Sequence, residues 1–148
     1  NASGTAVVLE IARRIAKTPL AERTWFVAFD GEEDGLHGSK AFVQSAQPQL
    51  ISNLKAMLNF DMVGVNLQLM ASGTPQLTTQ AKAAQSELST SESYSGSDHA
   101  SFAAAKVPVL FFHRGREPNY HTPNDKQVDP NLLDETVSVG LEVVEQLL

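Results

Sequence analysis

The fold is decided by residues 24–34, an apolar run that ends in acids: Thr24-Trp25-Phe26-Val27-Ala28-Phe29-Asp30-Gly31-Glu32-Glu33-Asp34. A short uncharged run rich in aromatic and β-branched residues is typical of a strand buried within a sheet. We therefore predict a buried strand over residues 23–29. Four carboxylates at the end of such a strand repel one another unless a cation or a shared proton compensates their charge. The pattern predicts metal binding or acid–base chemistry at this point.

Around this segment, helical and strand patterns alternate along the chain. Helices are predicted over residues 4–17 (capped by Ser3), 39–47 (stopped by Pro48), 75–88 and 132–148, and a short helix capped by Ser97 or Asp98 is predicted to end near Ala105. Further strands are predicted over 54–60, 67–71 and 107–112, and exposed loops over 86–97 and 114–128. The alternation predicts an α/β layer fold with a mainly parallel or mixed sheet.

Polar clusters follow three of the predicted strands. Asp30 to Asp34 follow the first, Asp61 follows the second, and residues 114–125 follow the third. Ligands of open α/β sheets bind beyond the carboxyl ends of the strands. If the strands are parallel, these clusters converge on one rim of the sheet.

Composition limits the function classes. The 148 residues fit one domain, and 42% hydrophobic and 19% charged residues are globular values. A net charge of −6 disfavours nucleic acid and a membrane surface as partners, and no apolar run has the ~18 residues of a membrane span. Without cysteine, disulfides and thiol catalysis are excluded, so a metal must be held by oxygen and imidazole ligands. The oligomeric state is left open.

The candidate ligands and bases on the rim are Glu32, Glu33, Asp61 and His121. Zinc sites of hydrolases use imidazole nitrogen and carboxylate oxygen and leave a position for water. Two adjacent glutamates project differently, so one can bind metal while its neighbour acts as a base. The alternatives are a solvated pair of glutamates, an Asp61 that only forms a turn, and an exposed His121.

Neighbouring residues refine these candidates. Tyr120 precedes His121, and Asp125 is predicted to hold the second ring nitrogen of that histidine. The triplet Ser97-Asp98-His99 has the residue types of a catalytic triad. Adjacent residues cannot form one, because the relay needs side chains that converge from separate segments. Asp98 is predicted to cap a helix and support the rim.

Five motifs occur in order along the chain: Asn1-Ala2-Ser3-Gly4, residues 29–39, Asn59-Phe60-Asp61-Met62-Val63-Gly64, Ser97-Asp98-His99-Ala100-Ser101-Phe102 and Tyr120-His121-Thr122-Pro123-Asn124-Asp125. Together they resemble the M28 family of zinc exopeptidases, which includes bacterial secreted aminopeptidases. The resemblance covers the whole chain. It implies a three-layer α/β/α sandwich with a mixed sheet, and peptide or protein substrates.

The resemblance also implies roles for individual residues. Glu33 and His121 would bind one zinc ion and Asp61 a second. Glu32 would be the general base, and Tyr120 would donate a hydrogen bond to the developing oxyanion. An extracellular or periplasmic location is implied in the same way.

One part of the family pattern is missing. The family carries a His-x-Asp motif upstream and an Asp directly before the Asn-Ala-Ser-Gly segment, and both supply zinc ligands. The expectation is therefore that residues 1–148 are a single catalytic domain truncated at its N-terminus, without its first strands. Such a chain is expected to bind zinc poorly and to be inactive alone.

Two other functions remain open at this point. Glutaminyl cyclases share the fold and use a single zinc ion held by Asp, Glu and His. Some relatives keep the fold as non-catalytic ectodomains that have lost metal ligands. Zinc stoichiometry distinguishes the cyclase from the peptidase, and retention of Glu32 and the ligands argues against the ectodomain.

Overall fold

The computed structural model describes residues 1–147, and these form a mixed α/β fold. The helices are α1 (Ala2–Ile15), α2 (His37–Ser45), α3 (Pro48–Asn53), α4 (Pro75–Ala84), α5 (His99–Ala104) and α6 (Pro130–Leu147). The strands are β1 (Met57–Phe60), β2 (Met70–Gly73), β3 (Ser89–Ser91) and β4 (Val109–His113). A single 3₁₀ turn covers Ala21–Arg23.

The four strands form one sheet in the order β1-β4-β2-β3. β1 pairs with β4 in parallel, with Leu58 opposite Leu110. β2 pairs antiparallel with β4 and parallel with β3. The sheet is therefore mixed and mainly parallel, as predicted. β4, the central strand beside β1 and β2, is the most deeply buried of the four.

Helices cover both faces of the sheet and complete three layers. On one face, α1, α4 and α6 pack over Phe60, Leu110 and Phe112. On the other, Ile51 and Phe102 from α3 and α5 pack with Val109. Since successive side chains of a strand point to opposite faces, Leu110 and Val109 enter different cores. This arrangement confirms the predicted α/β/α sandwich.

The first turn of α1 lies against the carboxyl end of β1. The Asn1 side chain accepts a hydrogen bond from the Gly4 backbone and donates one of 2.7 Å to the Phe60 carbonyl. A Cβ on Gly4 would lie 1.9 Å from that carbonyl oxygen, so only glycine permits this approach. The N-cap is thus Asn1 and not Ser3, whose hydroxyl instead accepts from the Val63 N–H at 3.2 Å.

The predicted buried strand over residues 23–29 is wrong in one respect. In residues 1–147 the segment pairs with no strand and has no regular secondary structure over residues 24–29, and Trp25 is 62% exposed. Phe26 and Val27 are each 38% exposed. Phe29, at its end, packs into a core through ring contacts with Phe42 and Phe102, and Trp25 touches the Phe42 ring edge-on at 6.3 Å. Its sequence is typical of a buried strand, but no described strand pairs with it.

Other boundaries differ on a smaller scale. α2 ends at Ser45, two residues before the predicted end, and Pro48 starts α3, because proline fits the first position of a helix. Three residues of the predicted loop over 86–97 form the edge strand β3. Their polar sequence lacks the apolar signal of a strand, and all three are exposed.

The buried side chain of Arg114 stabilises the long loop between β4 and α6 through hydrogen bonds near both of its ends. The Arg114 side chain is fully buried and pairs with Glu135 at 2.7 Å. Its guanidinium also donates to the carbonyls of Leu67 and Leu132, at 2.6 and 3.1 Å. Near the other end of the loop, the Asp129 N–H donates to the Gly64 carbonyl at 2.9 Å. The loop over residues 115–128 therefore starts and ends on fixed points.

Candidate metal centre

The acidic loop after residue 29 is a series of tight turns. The carbonyl of Glu32 accepts from the backbone N–H groups of both Gly35 and Leu36, and that of Asp30 accepts from Gly38 at 2.9 Å. A Cβ on Gly38 would lie 2.5 Å from the Asp30 carbonyl oxygen, so glycine is needed at that close approach. The turns hold Glu32 and Glu33 just after residues 24–29.

Glu33 and His121 meet across 88 residues of sequence. His121 Nε2 lies 2.8 Å from Glu33 Oε1, and both side chains are more than half exposed. His121 adopts a left-handed backbone conformation with φ of 58°. Such a backbone conformation is uncommon for a residue other than glycine. The two residues that the resemblance assigns to one zinc ion are thus brought together.

Glu32 lies beside this pair in a partly buried position. Burial raises the pKa of its carboxyl group above the ordinary value, and the negative charges of Glu33 and Asp61 raise it further. His121 acts in the opposite direction, but more weakly. A carboxylate with a raised pKa is closer to the range in which it can both accept and release a proton at neutral pH.

Asp61 follows β1 and is half-buried at the same rim. Its Oδ2 accepts a hydrogen bond of 3.0 Å from Ser97, whose hydroxyl in turn accepts one of 2.9 Å from the Asn59 side chain. Burial raises the pKa of Asp61, and the bond from Ser97 lowers it in part. The sequence assigned no role to Asn59 and predicted Ser97 only as a helix cap, so both were missed as site residues. A polar Asn59 inside an otherwise apolar strand was the available signal.

The rings of His99 and His113 both stack on the Phe111 ring. Their centroids lie 4.6 and 4.7 Å, respectively, from the Phe111 centroid. His99 is fully buried, and its Nε2 has no hydrogen-bond partner within residues 1–147. Burial lowers the pKa of His99 to about 4, so the ring is neutral at pH 7. Ser97, Asp98 and His99 form no triad, in agreement with the sequence argument, because the Ser97 hydroxyl bonds to Asp61.

Asp98 occupies the N-cap position of α5 as predicted, but its side chain makes no capping hydrogen bond. The prediction for Asp125 is wrong. No hydrogen bond joins Asp125 to His121 in the described chain, where the Asp125 N–H bonds to the Thr122 carbonyl. Tyr120 instead stacks on the His121 ring at 3.8 Å, and the Arg116 guanidinium lies 4.9 Å from the Tyr120 ring centroid.

The donor chemistry of this rim fits zinc, although the donors are few. Glu33, Asp61 and His121 supply the carboxylate oxygen and imidazole nitrogen that zinc takes in hydrolases. Within residues 1–147, however, no three His, Asp or Glu side chains lie close enough together to hold an ion. The residues therefore account for part of a coordination sphere, and further ligands would be needed to complete it.

Comparison with known proteins identifies the family. The sequence profile of peptidase family M28 matches residues 1–144. The chain belongs to peptidase family M28. The match includes every candidate site residue named above, from Glu32 to His121.

Individual M28-related proteins extend this finding. The chain is 30% identical over 143 residues to aminopeptidase YwaD of Bacillus subtilis. This alignment covers 84% of the chain and 31% of YwaD. The structure superimposes with a TM-score of 0.88 on BSAP, a zinc aminopeptidase from Bacillus subtilis, at 26% identity. That alignment covers 99% of this chain and 41% of BSAP. The chain thus spans about a third to two fifths of the length of these relatives.

A glutaminyl cyclase from an Acidobacteriales bacterium is less similar. Its TM-score is 0.63 at 23% identity, over 77% of this chain and 46% of the cyclase. At this identity the likeness concerns the fold alone. The M28 profile and the aminopeptidase relatives therefore favour the peptidase over the cyclase.

Proposed function

We propose that residues 1–148 are one catalytic domain, truncated at its N-terminus, of a zinc-dependent aminopeptidase that hydrolyses peptide bonds in peptide or protein substrates. The observation that carries the proposal is the 2.8 Å contact between Glu33 and His121, next to Glu32 and on the same rim as Asp61. Membership of family M28 supports it. The printed names of two relatives, both aminopeptidases, favour the amino end of the substrate.

In this proposal the zinc ligands and the base are different glutamates. Glu33 and His121 would hold one zinc ion, and Asp61 would contribute to a second. When bound, zinc would act as a Lewis acid that polarises the scissile carbonyl and makes the attacking water more acidic. Glu32 accepts the proton of that water and passes it to the leaving amine. Its raised pKa suits a group that must both take and release a proton.

Two residues position or assist this chemistry. Ser97 holds one oxygen of Asp61 at 3.0 Å, which leaves the other oxygen for zinc. Tyr120, stacked on His121, donates a hydrogen bond to the oxygen that becomes negatively charged in the transition state. The Ser97 contact reduces the motion of Asp61 before the reaction begins, and the Tyr120 hydrogen bond would stabilise the transition state.

The test uses the full-length gene product, an aminoacyl p-nitroanilide substrate and zinc analysis by mass spectrometry. Glu32→Gln is expected to lower kcat by about 10²–10⁴ with zinc content unchanged. Glu33→Gln is expected to lower zinc content itself, and Asp34→Asn on the same loop serves as the control. If Glu32→Gln instead removed zinc with no separate rate effect, the two roles would be reversed. One zinc per chain with glutaminyl cyclisation would indicate the cyclase.

An extracellular or periplasmic location is part of the proposal and is supported by the resemblance to secreted aminopeptidases. In residues 1–147, no helix is both long and apolar enough to cross a bilayer. Fractionation of the source cells with an antibody against the chain tests the location. Detection in the cytosol alone would overturn it.

A further inference from the structure

The loop over residues 115–128 carries a cation that the proposed mechanism does not use. Arg116 is exposed, and its guanidinium carbon lies 4.9 Å from the centroid of the Tyr120 ring. Tyr120 in turn stacks on the ring of His121 at 3.8 Å. A positive charge therefore lies one ring away from a candidate zinc ligand, beside the phenol that would bond to the developing oxyanion.

A tight turn brings Arg116 and Tyr120 together. The Tyr120 N–H donates to the Glu117 carbonyl at 3.1 Å and closes the turn. The Arg116 carbonyl accepts a bond of 3.2 Å from the Asn66 side chain, and the same amide donates to the Arg114 carbonyl at 2.9 Å. The backbone below the guanidinium is thus attached to the loop between β1 and β2, so the side chain of Arg116 starts from a fixed point.

The Arg116 guanidinium forms no ion pair with a carboxylate of residues 1–147. The adjacent acid, Glu117, uses one carboxylate oxygen to accept from the backbone and side-chain N–H groups of Asn119, at 2.8 and 3.2 Å. A guanidinium that rests on an aromatic ring keeps its N–H groups at its edge, where they can bind a carboxylate through two parallel hydrogen bonds. The donors of Arg116 can therefore bind a ligand.

The other charged groups of the rim are mainly acidic. The negative charges of Glu33, Asp61 and Asp98 all act on Glu32. They would also repel a carboxylate of a substrate, because like charges destabilise each other. Arg116 offsets this repulsion on the side of the rim where Tyr120 lies. An acidic group of a substrate is therefore favoured next to Arg116 over the acidic side of the rim.

The position of Arg116 limits how far such a carboxylate can be from the scissile bond. In the proposed reaction, the Tyr120 hydroxyl bonds to the oxygen of the scissile carbonyl. The guanidinium carbon is 4.9 Å from the Tyr120 ring centroid, and an extended residue spans ~3.5 Å. A carboxylate within about two residues of the scissile bond can therefore reach Arg116. The side chain of an acidic N-terminal residue meets this condition, and so does the C-terminal carboxylate of a dipeptide.

We propose that Arg116 is a specificity-determining residue that binds a carboxylate of the substrate. The preferred substrates are then peptides with an acidic group within about two residues of the scissile bond. This inference rests on the proposed peptidase function and names the substrate class within it. A charge-assisted pair with two hydrogen bonds is expected to raise kcat/KM about tenfold over that of a matched amide.

Two pairs of substrates of matched shape test the preference in the zinc-loaded full-length gene product. α-Glutamyl p-nitroanilide against glutaminyl p-nitroanilide tests the side-chain carboxylate. Leucylglycine against leucylglycinamide tests the C-terminal carboxylate. At least one pair is expected to show an about tenfold higher kcat/KM for the acid than for the amide. Because Arg116 is exposed, this ratio is expected to decline as the salt concentration is raised.

Three variants of the loop assign the preference to one side chain. Arg116→Gln is expected to bring the ratio of acid to amide close to one. Arg116→Lys is expected to keep part of the ratio, since lysine retains the charge but not the paired donors of the guanidinium. Lys126→Gln removes another exposed cation of the same loop and is expected to leave the ratio unchanged. Circular dichroism of all three variants checks that the fold is intact.

A binding measurement separates this inference from the proposed function. In EDTA-treated protein, the Arg116 Nε–H signal in a nitrogen-15 NMR spectrum is expected to shift on addition of the acid of a pair, but not of its amide. Such a shift, without hydrolysis of any of the four substrates by the zinc-loaded protein, would retain the carboxylate site and overturn the peptidase function. Hydrolysis of acid and amide at equal rates, without a shift, would overturn the carboxylate site alone. A preference that persists in Arg116→Gln would also overturn it, because another group would then recognise the acid.

Discussion

β4 and the segment over residues 24–29 are similar in sequence and opposite in environment. Both are short apolar runs that end in polar residues at the rim. In β4, Leu110 and Phe112 are fully buried, because β1 and β2 flank the strand and helices cover both faces. In the other segment, Trp25 and Phe26 are exposed, because no described strand adjoins it. Burial of a strand is therefore a property of its neighbours as much as of its own residues.

The largest expected effect separates these two regions. Phe112→Ala removes a fully buried ring that stacks on Phe60 at 5.1 Å, and should lower the free energy of unfolding by about 3–5 kcal/mol. Phe26→Ala should lower it by less than about 1 kcal/mol, since the ring is already partly solvated. Urea unfolding followed by circular dichroism measures both. Equal losses would mean that residues 24–29 are as well packed in solution as β4.

The second effect concerns the junction of α1 with β1. Gly4→Ala places a Cβ 1.9 Å from the Phe60 carbonyl oxygen, which is backbone and cannot rotate away. The free energy of unfolding should fall by about 1–3 kcal/mol, as in other overpacked sites. Thr5→Ala, on the exposed side of the same turn, should change it by less than about 1 kcal/mol. A neutral Gly4→Ala would show that α1 can move off the strand end.

The third effect is a pH dependence of the free energy of unfolding that arises from the buried His99 in α5. His99 is neutral when folded, with a pKa of about 4, and about 6.5 when unfolded. Acid therefore favours the unfolded chain: the contribution of His99 is constant well above pH 6.5, and stability declines as the pH falls through 6.5 toward 4. The share from His99 is about 2 kcal/mol between pH 7 and 5. His99→Phe should show a shallower decline, and His37→Gln, at an exposed site, should follow the parent.

The smallest effect on stability is expected at Glu33, in the acidic loop that follows residues 24–29. Glu33→Gln breaks an exposed contact with His121 and should change the free energy of unfolding by less than about 0.5 kcal/mol. Calorimetric titration of residues 1–148 with zinc should give weak binding, since no three ligands converge in the described chain. Tight binding of two ions would contradict this. A stability loss above 1 kcal/mol for Glu33→Gln would assign the contact a structural role.

Much of this architecture could be predicted from local patterns. Apolar periodicity predicted α1 and α6, and continuous apolar runs predicted β1 and β4. These predictions were right because the apolar side chains of these elements pack into the cores. The rule that ligands gather at the carboxyl ends of strands correctly brought Glu33 near His121. The assignment of zinc roles within that rim rests on the family resemblance and stays a prediction.

Other features depended on contacts that no local pattern encodes. Ser3 and Asn1 are both good caps, and the choice of Asn1 follows from its second bond to Phe60, 59 residues away. β3 consists of serine and threonine and is a strand only because β2 pairs with it. The exposure of Trp25 could not be foreseen, since its sequence is that of a buried strand.

The hydrogen bonds of Arg114, here called the Arg114 clasp, determine which residues of the loop can vary in sequence. The guanidinium bonds to Leu67, Leu132 and Glu135, so it holds the root of the loop without using any side chain from residues 116–127. Substitutions within that stretch leave the clasp and both cores untouched. Natural variation can therefore accumulate around His121 while the scaffold is conserved, and directed libraries confined to residues 116–119 and 122–127 would sample new surface chemistry without rebuilding the fold.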